Sequence, residues 1–270
     1  HGQTRSVEGL PNGIPIAGLA GDQQASFFGQ SCFEAGEANC HYGDSVCLMI
    51  NTGRKTVPSK DGLITTVAWK IKEETAYALE GSSFVAAGAI QWLQDRLKII
   101  ENFSEIEDLA YQVPDSGGVT FVPAFVGLGA PYWKPEARAF IGGMNFETST
   151  AHIARAALEG IAFRQADVLT LMTKEARRKL KFLKVNGMVA ASNLLLQFQS
   201  DISGLEIVRP QALETAVVGA AFLAGLGIDF WKDLEDLEIA WKEERRFRPQ
   251  MDKKEVKERL ACWQEAVKKA

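Results

Sequence analysis

The run Gly18-Leu19-Ala20-Gly21-Asp22-Gln23-Gln24-Ala25 sets one carboxylate and two carboxamides behind a glycine-rich turn. Strand-like Ile14-Pro15-Ile16-Ala17 leads into it, and helix-compatible Ser26 to Cys32 leads out. Asp22 is thereby placed where a strand ends and a helix begins. Such a junction turns free helix N–H groups and a short acidic side chain toward a cleft, which suits anions and proton transfer. The competing reading is structural: Asp22 caps the helix that follows it.

The elements that must position this carboxylate follow in order. Three strand-like runs are Ser45–Ile50, Leu63–Ile71 and Thr75–Leu79, with Asn51-Thr52-Gly53 and Lys72-Glu73-Glu74 suited to tight hairpins between them. Helical spacing of Ile90, Leu93, Leu97 and Ile100 predicts a helix over 85–100. Ser104, three residues before Glu107, predicts a capped helix over 104–111. Strands are expected at 119–125, 140–144, 182–185 and 207–209, and long helices at 150–175 and 194–202. Ala-rich 216–226 reads as a buried helix whose small residues permit close packing, and the segment after Asp252 is amphipathic. This alternation predicts an α/β domain with a mixed sheet flanked by helices. Residues 1–12, polar and Gly-rich, read as a linker or terminal segment, leaving 13–270 as one domain.

GLAGDQQASFFGQ at 18–30 resembles the opening motif of the second domain of the FGGY carbohydrate kinases, in particular those acting on glycerol. NTG at 51–53, LITTVAWK at 63–70, YALEGSSFVAAGAIQWL at 77–93 and VPAFVGLGAPYW at 122–133 continue the resemblance. So do LLLQFQSDI at 194–202, ETAVVGAAFLAGLG at 214–227 and FRPQM at 247–251. The resemblance implies a ribonuclease H-like (actin-like ATPase) fold and an ATP-dependent transfer of the γ-phosphoryl group to a polyol. Catalysis would lie in a cleft against an N-terminal FGGY domain. It implies Asp22 as the base and Gln23 as a polyol ligand, with Cys47 standing where an apolar aromatic packs on glycerol. Its cofactors would be ATP or ADP with Mg2+.

No P-loop or Rossmann glycine pattern is present. The resemblance instead sets nucleotide phosphates on two turns and the adenine near a helix start. The first turn, Tyr-Gly-Thr-Gly in the family, reads Tyr42-Gly43-Asp44-Ser45 here; the second, Asp-Gly-Gly, reads Asn186-Gly187-Met188. Ala87 replaces a usual glycine and Ser192 a usual asparagine, Asn145-Phe146-Glu147-Thr148 departs from a Thr-Arg-Gly-Thr-like pattern, and Gln91 matches. A carboxylate beside triphosphate and a thioether chain over a backbone cradle both oppose nucleotide binding. Two other readings therefore stand beside the kinase half. One is a non-catalytic or engineered domain of this fold with impaired nucleotide binding; the other is the kinase half for a different polyol or sugar.

Composition narrows the classes further. A formal net charge of −4, with Lys and Arg interspersed among Asp and Glu, argues against a nucleic-acid surface. The mixed charges from Trp241 to Arg259 read as a solvated, ion-paired helical face. Cys32, Cys40, Cys47 and Cys262 lack metal-site spacing and read as reduced, buried thiols, and His1, His41 and His152 are too scattered for a metal motif. The apolar run 216–228 is too short to span a bilayer and no secretory signal pattern opens the chain, so a cytoplasmic, non-membrane protein is expected, with room for a homo-oligomer.

Overall fold

A computed structural model describes residues 2–270; His1 lies outside them. Two two-residue strands, β1 (Gly2–Gln3) and β2 (Pro15–Ile16), pair antiparallel and stay exposed. Helix α1 (Asp22–Gly29) follows, then strands β3 (Ala38–Tyr42), β4 (Val46–Gly53), β5 (Ile64–Ile71) and β6 (Glu74–Ser83). Next come α2 (Ala87–Trp92), α3 (Glu105–Ala110), β7 (Thr120–Val122), β8 (Phe140–Gly142) and α4 (Thr150–Ala176). The chain continues through β9 (Phe182–Asn186), α5 (Asn193–Ser203), β10 (Glu206–Pro210) and α6 (Thr215–Gly227). It closes with α7 (Leu234–Ala240), β11 (Glu243–Phe247) and α8 (Lys253–Lys269).

The main sheet has seven strands in the order β11-β10-β9-β3-β4-β6-β5. β9 is parallel to both β3 and β10, and the remaining pairs are antiparallel, so the sheet is mixed as expected. Period-two alternation splits its side chains between two cores. Tyr42, Leu48, Ile50 and Leu79 face Leu158, Ile161 and Val168 of α4. Cys47, Met49 and Ala78 face the other way, toward Phe27 of α1. β7 and β8 form a separate hairpin. Trp263 of α8 is fully buried there and stacks on Phe163 of α4, ring centroids 5.0 Å apart.

Several expectations are corrected. Asn51-Thr52-Gly53 is the end of β4, not a hairpin turn, and β4 pairs with β6 rather than β5. The Asn51 amide is committed elsewhere, donating to the Cys32 and Phe33 carbonyls at 2.9 Å each. Ser104 precedes α3 without a side-chain cap, because its backbone is already helical, and Glu107 instead accepts from the Leu194 N–H at 2.7 Å. The helix over 85–100 winds into a π turn at Leu93–Leu97 and stops at left-handed Lys98. α6 is not buried throughout: Val217 is 70% exposed, and burial is confined to Thr215, Gly219, Phe222 and Gly225. The charged stretch after Trp241 includes edge strand β11 as well as helix, though it is ion-paired as expected, with Arg246 held by Glu206 and Glu243. Cys32, Cys40 and Cys47 are buried free thiols, whereas Cys262 is exposed.

Candidate nucleotide and phosphoryl-transfer site

Close backbone packing sets the position of α1. A β-carbon on Gly18 would come within 2.6 Å of the Ala224 amide of α6, and one on Gly29 within 2.7 Å of the Gly219 amide. At its far end, the Lys184 ammonium donates to the Gln30 and Ser31 carbonyls at 2.8 and 2.9 Å. A cation at a helix C-terminus satisfies orphan carbonyls and complements the helix dipole.

The other end of α1 is open. Gly21, extended, is the N-cap and offers no side chain, so Asp22 does not cap the helix: it is the first helical residue and is exposed. Its polar contact is Gln23 Nε2, 3.4 Å away, which leaves the carboxylate available for chemistry. Gln24 turns aside to Thr66.

Facing this end of the helix are Cys47 and Glu80. Burial pushes the Cys47 thiol well up, and the charges of Glu80 and Asp22 add to that, so it stays protonated. Glu80 is raised above the usual carboxylate range by burial and by the charge of Asp22, while its hydrogen bond with Cys47 pulls the other way. Sequence reasoning missed Glu80; its place opposite Met49 in the β4–β6 register puts it on the face shared with Cys47.

The turns singled out in the sequence come together. Gly43, Asp44 and Ser45 form the β3–β4 turn, with the Gly43 amide donating to the Ser45 carbonyl at 3.0 Å. The Ala86 amide donates to Asp44 O at 3.0 Å and that of Ala87 to Gly43 O at 3.4 Å, so the start of α2 docks on this turn. Gln91, four residues after Ala87 along the same helix, is exposed. Gly187, after β9, has φ +93° and lies so close to Tyr42 that a β-carbon would come 2.7 Å from the Tyr42 carbonyl carbon. Only glycine fits there.

Met188 begins a short 3-10 turn, Met188–Ala191, and is 51% exposed. Ser192 is 7% exposed, and its hydroxyl oxygen accepts from the Leu195 amide as the N-cap of α5. Asp44 and Ser45 are both exposed.

Behind the turns runs a buried polar network. Asn186 Oδ1 accepts from Gln30 Nε2 at 3.2 Å and from Asn39 Nδ2 at 3.4 Å. Asn186 Nδ2 lies 3.0 Å from Ser26 Oγ and 2.7 Å from His41 Nδ1. Ser26 meets Thr215 at 3.0 Å, and the Trp241 indole donates to Gln30 Oε1 at 3.1 Å. Among the described residues no group of three or more His, Cys, Asp or Glu forms a metal cluster, and no helix is long and apolar enough to cross a membrane.

Residues 38–228 match the model of the FGGY family of carbohydrate kinases, C-terminal domain. A glycerol kinase of Myxococcus xanthus is 51% identical across all of this chain, which covers 55% of that protein. Glycerol kinase 2 of Thermotoga maritima is 50% identical over 95% of the chain and 52% of its own length. Among solved structures, Plasmodium falciparum glycerol kinase with ADP superposes with a TM-score of 0.88 at 40% identity, covering 96% of this chain and 52% of that one. Ligand-bound xylulose kinase from Lactobacillus acidophilus has a TM-score of 0.76 at 20% identity, which shows the shared fold alone. The chain spans about half the length of the curated relatives it matches.

Proposed function

Since the chain belongs to the FGGY family of carbohydrate kinases, as its C-terminal domain, we propose that it is the nucleotide-side half of a glycerol kinase. An N-terminal domain of the same family would supply the facing wall of the cleft. The observation that carries this reading is an uncapped, exposed Asp22 on a domain whose two singled-out turns, at Gly43 and Gly187, pack together around Tyr42. The ADP-bound relative and the glycerol kinases that match the whole chain support the same assignment.

Phosphoryl transfer asks for positioning and charge stabilisation more than covalent participation. The glycerol hydroxyl oxygen attacks the γ-phosphorus, the β–γ bridging oxygen leaves with ADP, and the hydroxyl proton passes to Asp22. A carboxylate suffices for this, because the proton becomes acidic only as the new bond forms. Gln23, next to Asp22, holds a polyol hydroxyl, and Cys47 with Glu80 floors the acceptor side. The Gly43–Ser45 turn, with Gly187 packed behind it, faces the phosphates, the Ala87–Gln91 face lies beside them, Met188 overlies the second turn, and Ser192 borders the base end. Mg2+, when bound, would neutralise phosphate charge; exposed Asp44 stands on the first turn as a like charge that opposes a phosphate oxygen.

Calorimetric titration with Mg-ATP and Mg-ADP tests the nucleotide half of the reading. Supplying the N-terminal domain of a glycerol kinase relative tests the rest: glycerol-dependent ADP release should appear, and Asp22→Asn should remove it while leaving the unfolding midpoint in place. Undiminished turnover by Asp22→Asn takes Asp22 out of the base role. Absence of any nucleotide binding overturns the kinase assignment in favour of a non-catalytic domain.

A further inference from the structure

The orientation of the buried network is fixed from one end. An indole N–H can only donate, so Trp241 obliges the carbonyl oxygen of Gln30 to face it. The Gln30 amide nitrogen then faces Asn186, which obliges Asn186 Oδ1 to accept. Asn186 Nδ2 is left to donate to Ser26 and to His41. His41 Nδ1 must therefore be the acceptor, so the imidazole is neutral with its proton on Nε2. Gln30 and Asn186 are fully buried and Trp241 is part-buried, so little water competes along the relay.

Nε2 points at the phosphate turn. A β-carbon on Gly43 would meet it at 3.1 Å, nearer than any other atom. Among the described residues this N–H has no hydrogen-bond partner, although the ring is half-buried. The middle residue of the turn beside it is Asp44, whose carboxylate offers no donor. An oriented, unpaired donor thus stands next to the carboxylate-bearing turn.

We infer that His41 is a further nucleotide-binding residue, whose Nε2–H donates to a phosphate oxygen of the nucleotide held at the Gly43 turn. This rests on the kinase reading above. The relay Trp241–Gln30–Asn186 acts through His41: it does not touch the nucleotide but sets the tautomer that makes the donor available. A neutral donor also suits a phosphate whose charge is already met by Mg2+, since it adds a hydrogen bond without a competing cation.

The imidazole nitrogens correspond to different amides, which gives a clean test. Glutamine places its amide where Nε2 stands; asparagine places its amide where Nδ1 stands. His41→Asn should weaken Mg-ATP and Mg-ADP binding about tenfold, the loss of one hydrogen bond to a charged group. His41→Gln should stay within about threefold of the parent. A purely structural role gives the reverse order, because Asn preserves the contact to Asn186.

Two-bond proton–nitrogen NMR correlations on the free chain should show a single Nε2–H tautomer, with His41 resonances moving on addition of Mg-ADP. An Nδ1–H tautomer, or equal affinity of the parent and His41→Asn, overturns the inference while the kinase reading stands. A parent that binds neither nucleotide overturns both.

Discussion

Gly219 on α6 lies so close to Gly29 on α1 that a β-carbon added to it would stand 2.8 Å from the Gly29 amide and clash with the Ala25 carbonyl. The two helices meet backbone to backbone, and that contact sets where α1 presents Asp22. Gly219→Ala should destabilise the chain by about 1–3 kcal/mol, the usual cost of overpacking a close helix contact. A fall in the urea midpoint is the readout. Wild-type stability in the variant would mean that α6 can slide away freely, and α1 would lose its anchor.

Trp263 closes the far side of the domain. Its ring stacks on Phe163, and its indole donates to Asp167 at 2.9 Å. Asp167 also accepts from Arg164 and Gln264. Trp263→Ala should cost about 3–5 kcal/mol through the cavity and the lost donor together. Trp263→Phe keeps a ring and removes the donor, and should cost about 1–3 kcal/mol. If the two variants unfold at the same denaturant concentration, the hydrogen bond to Asp167 carries the whole effect and the stack none.

The sequence made the strand-to-helix junction at Asp22 legible because its glycines and apolar lead-in are local signals. α4 was legible from period, and the expected lengths of α4 and α5 held within about two residues. β3 was not, since Ala38 to Tyr42 is buried on nearly every residue and shows no alternation. β11 was hidden by the opposite cause: Glu243-Glu244-Arg245-Arg246 is an edge strand written in charges.

The part of the site formed by His41 depends on contacts from Asn186, and through Gln30 from Trp241. Those residues lie on β9, at the end of α1 and after α7, and no local pattern joins them. The exposed half of α6 was misjudged for a related reason. Val217 to Gly227 is apolar on all sides, so hydropathy alone cannot say which face is covered.

His41 also gives stability a pH dependence of definite sign. Burial lowers its imidazole below the ordinary value of 6.5, against the pull of Glu214 and Asp22. Protonation would further set a second donor against Asn186 Nδ2. Between the lowered folded value and 6.5 the unfolded chain binds more protons than the folded one, so stability is lost as pH falls through that window. The contribution is complete above 6.5 and changes no further once the folded value is passed. His41→Gln cannot titrate, so the parent should lose stability relative to it between about pH 7 and pH 5. A parent-minus-variant difference that stays level across that range would show that His41 titrates alike in both states.

The nucleotide turns carry the most specific prediction. Gly187 is buried behind the first turn with its amide on the Leu213 carbonyl, while Asp44 places a carboxylate on the first turn and Met188 a half-exposed thioether chain on the second. Like charge beside a triphosphate opposes binding, and the long side chain occupies the surface of the second turn. Asp44→Thr removes the charge and returns a hydroxyl donor, while Met188→Gly uncovers the turn. Each should tighten Mg-ATP binding about tenfold, equivalent to roughly 1.4 kcal/mol. Because both turns would hold the same phosphate chain, the double variant should gain less than the product of the singles. Titration of the parent, both singles and the double measures this directly. Tight binding by the parent with no gain in the double would place Asp44 on the metal and Met188 clear of the phosphates, so that both substitutions belong to a working site.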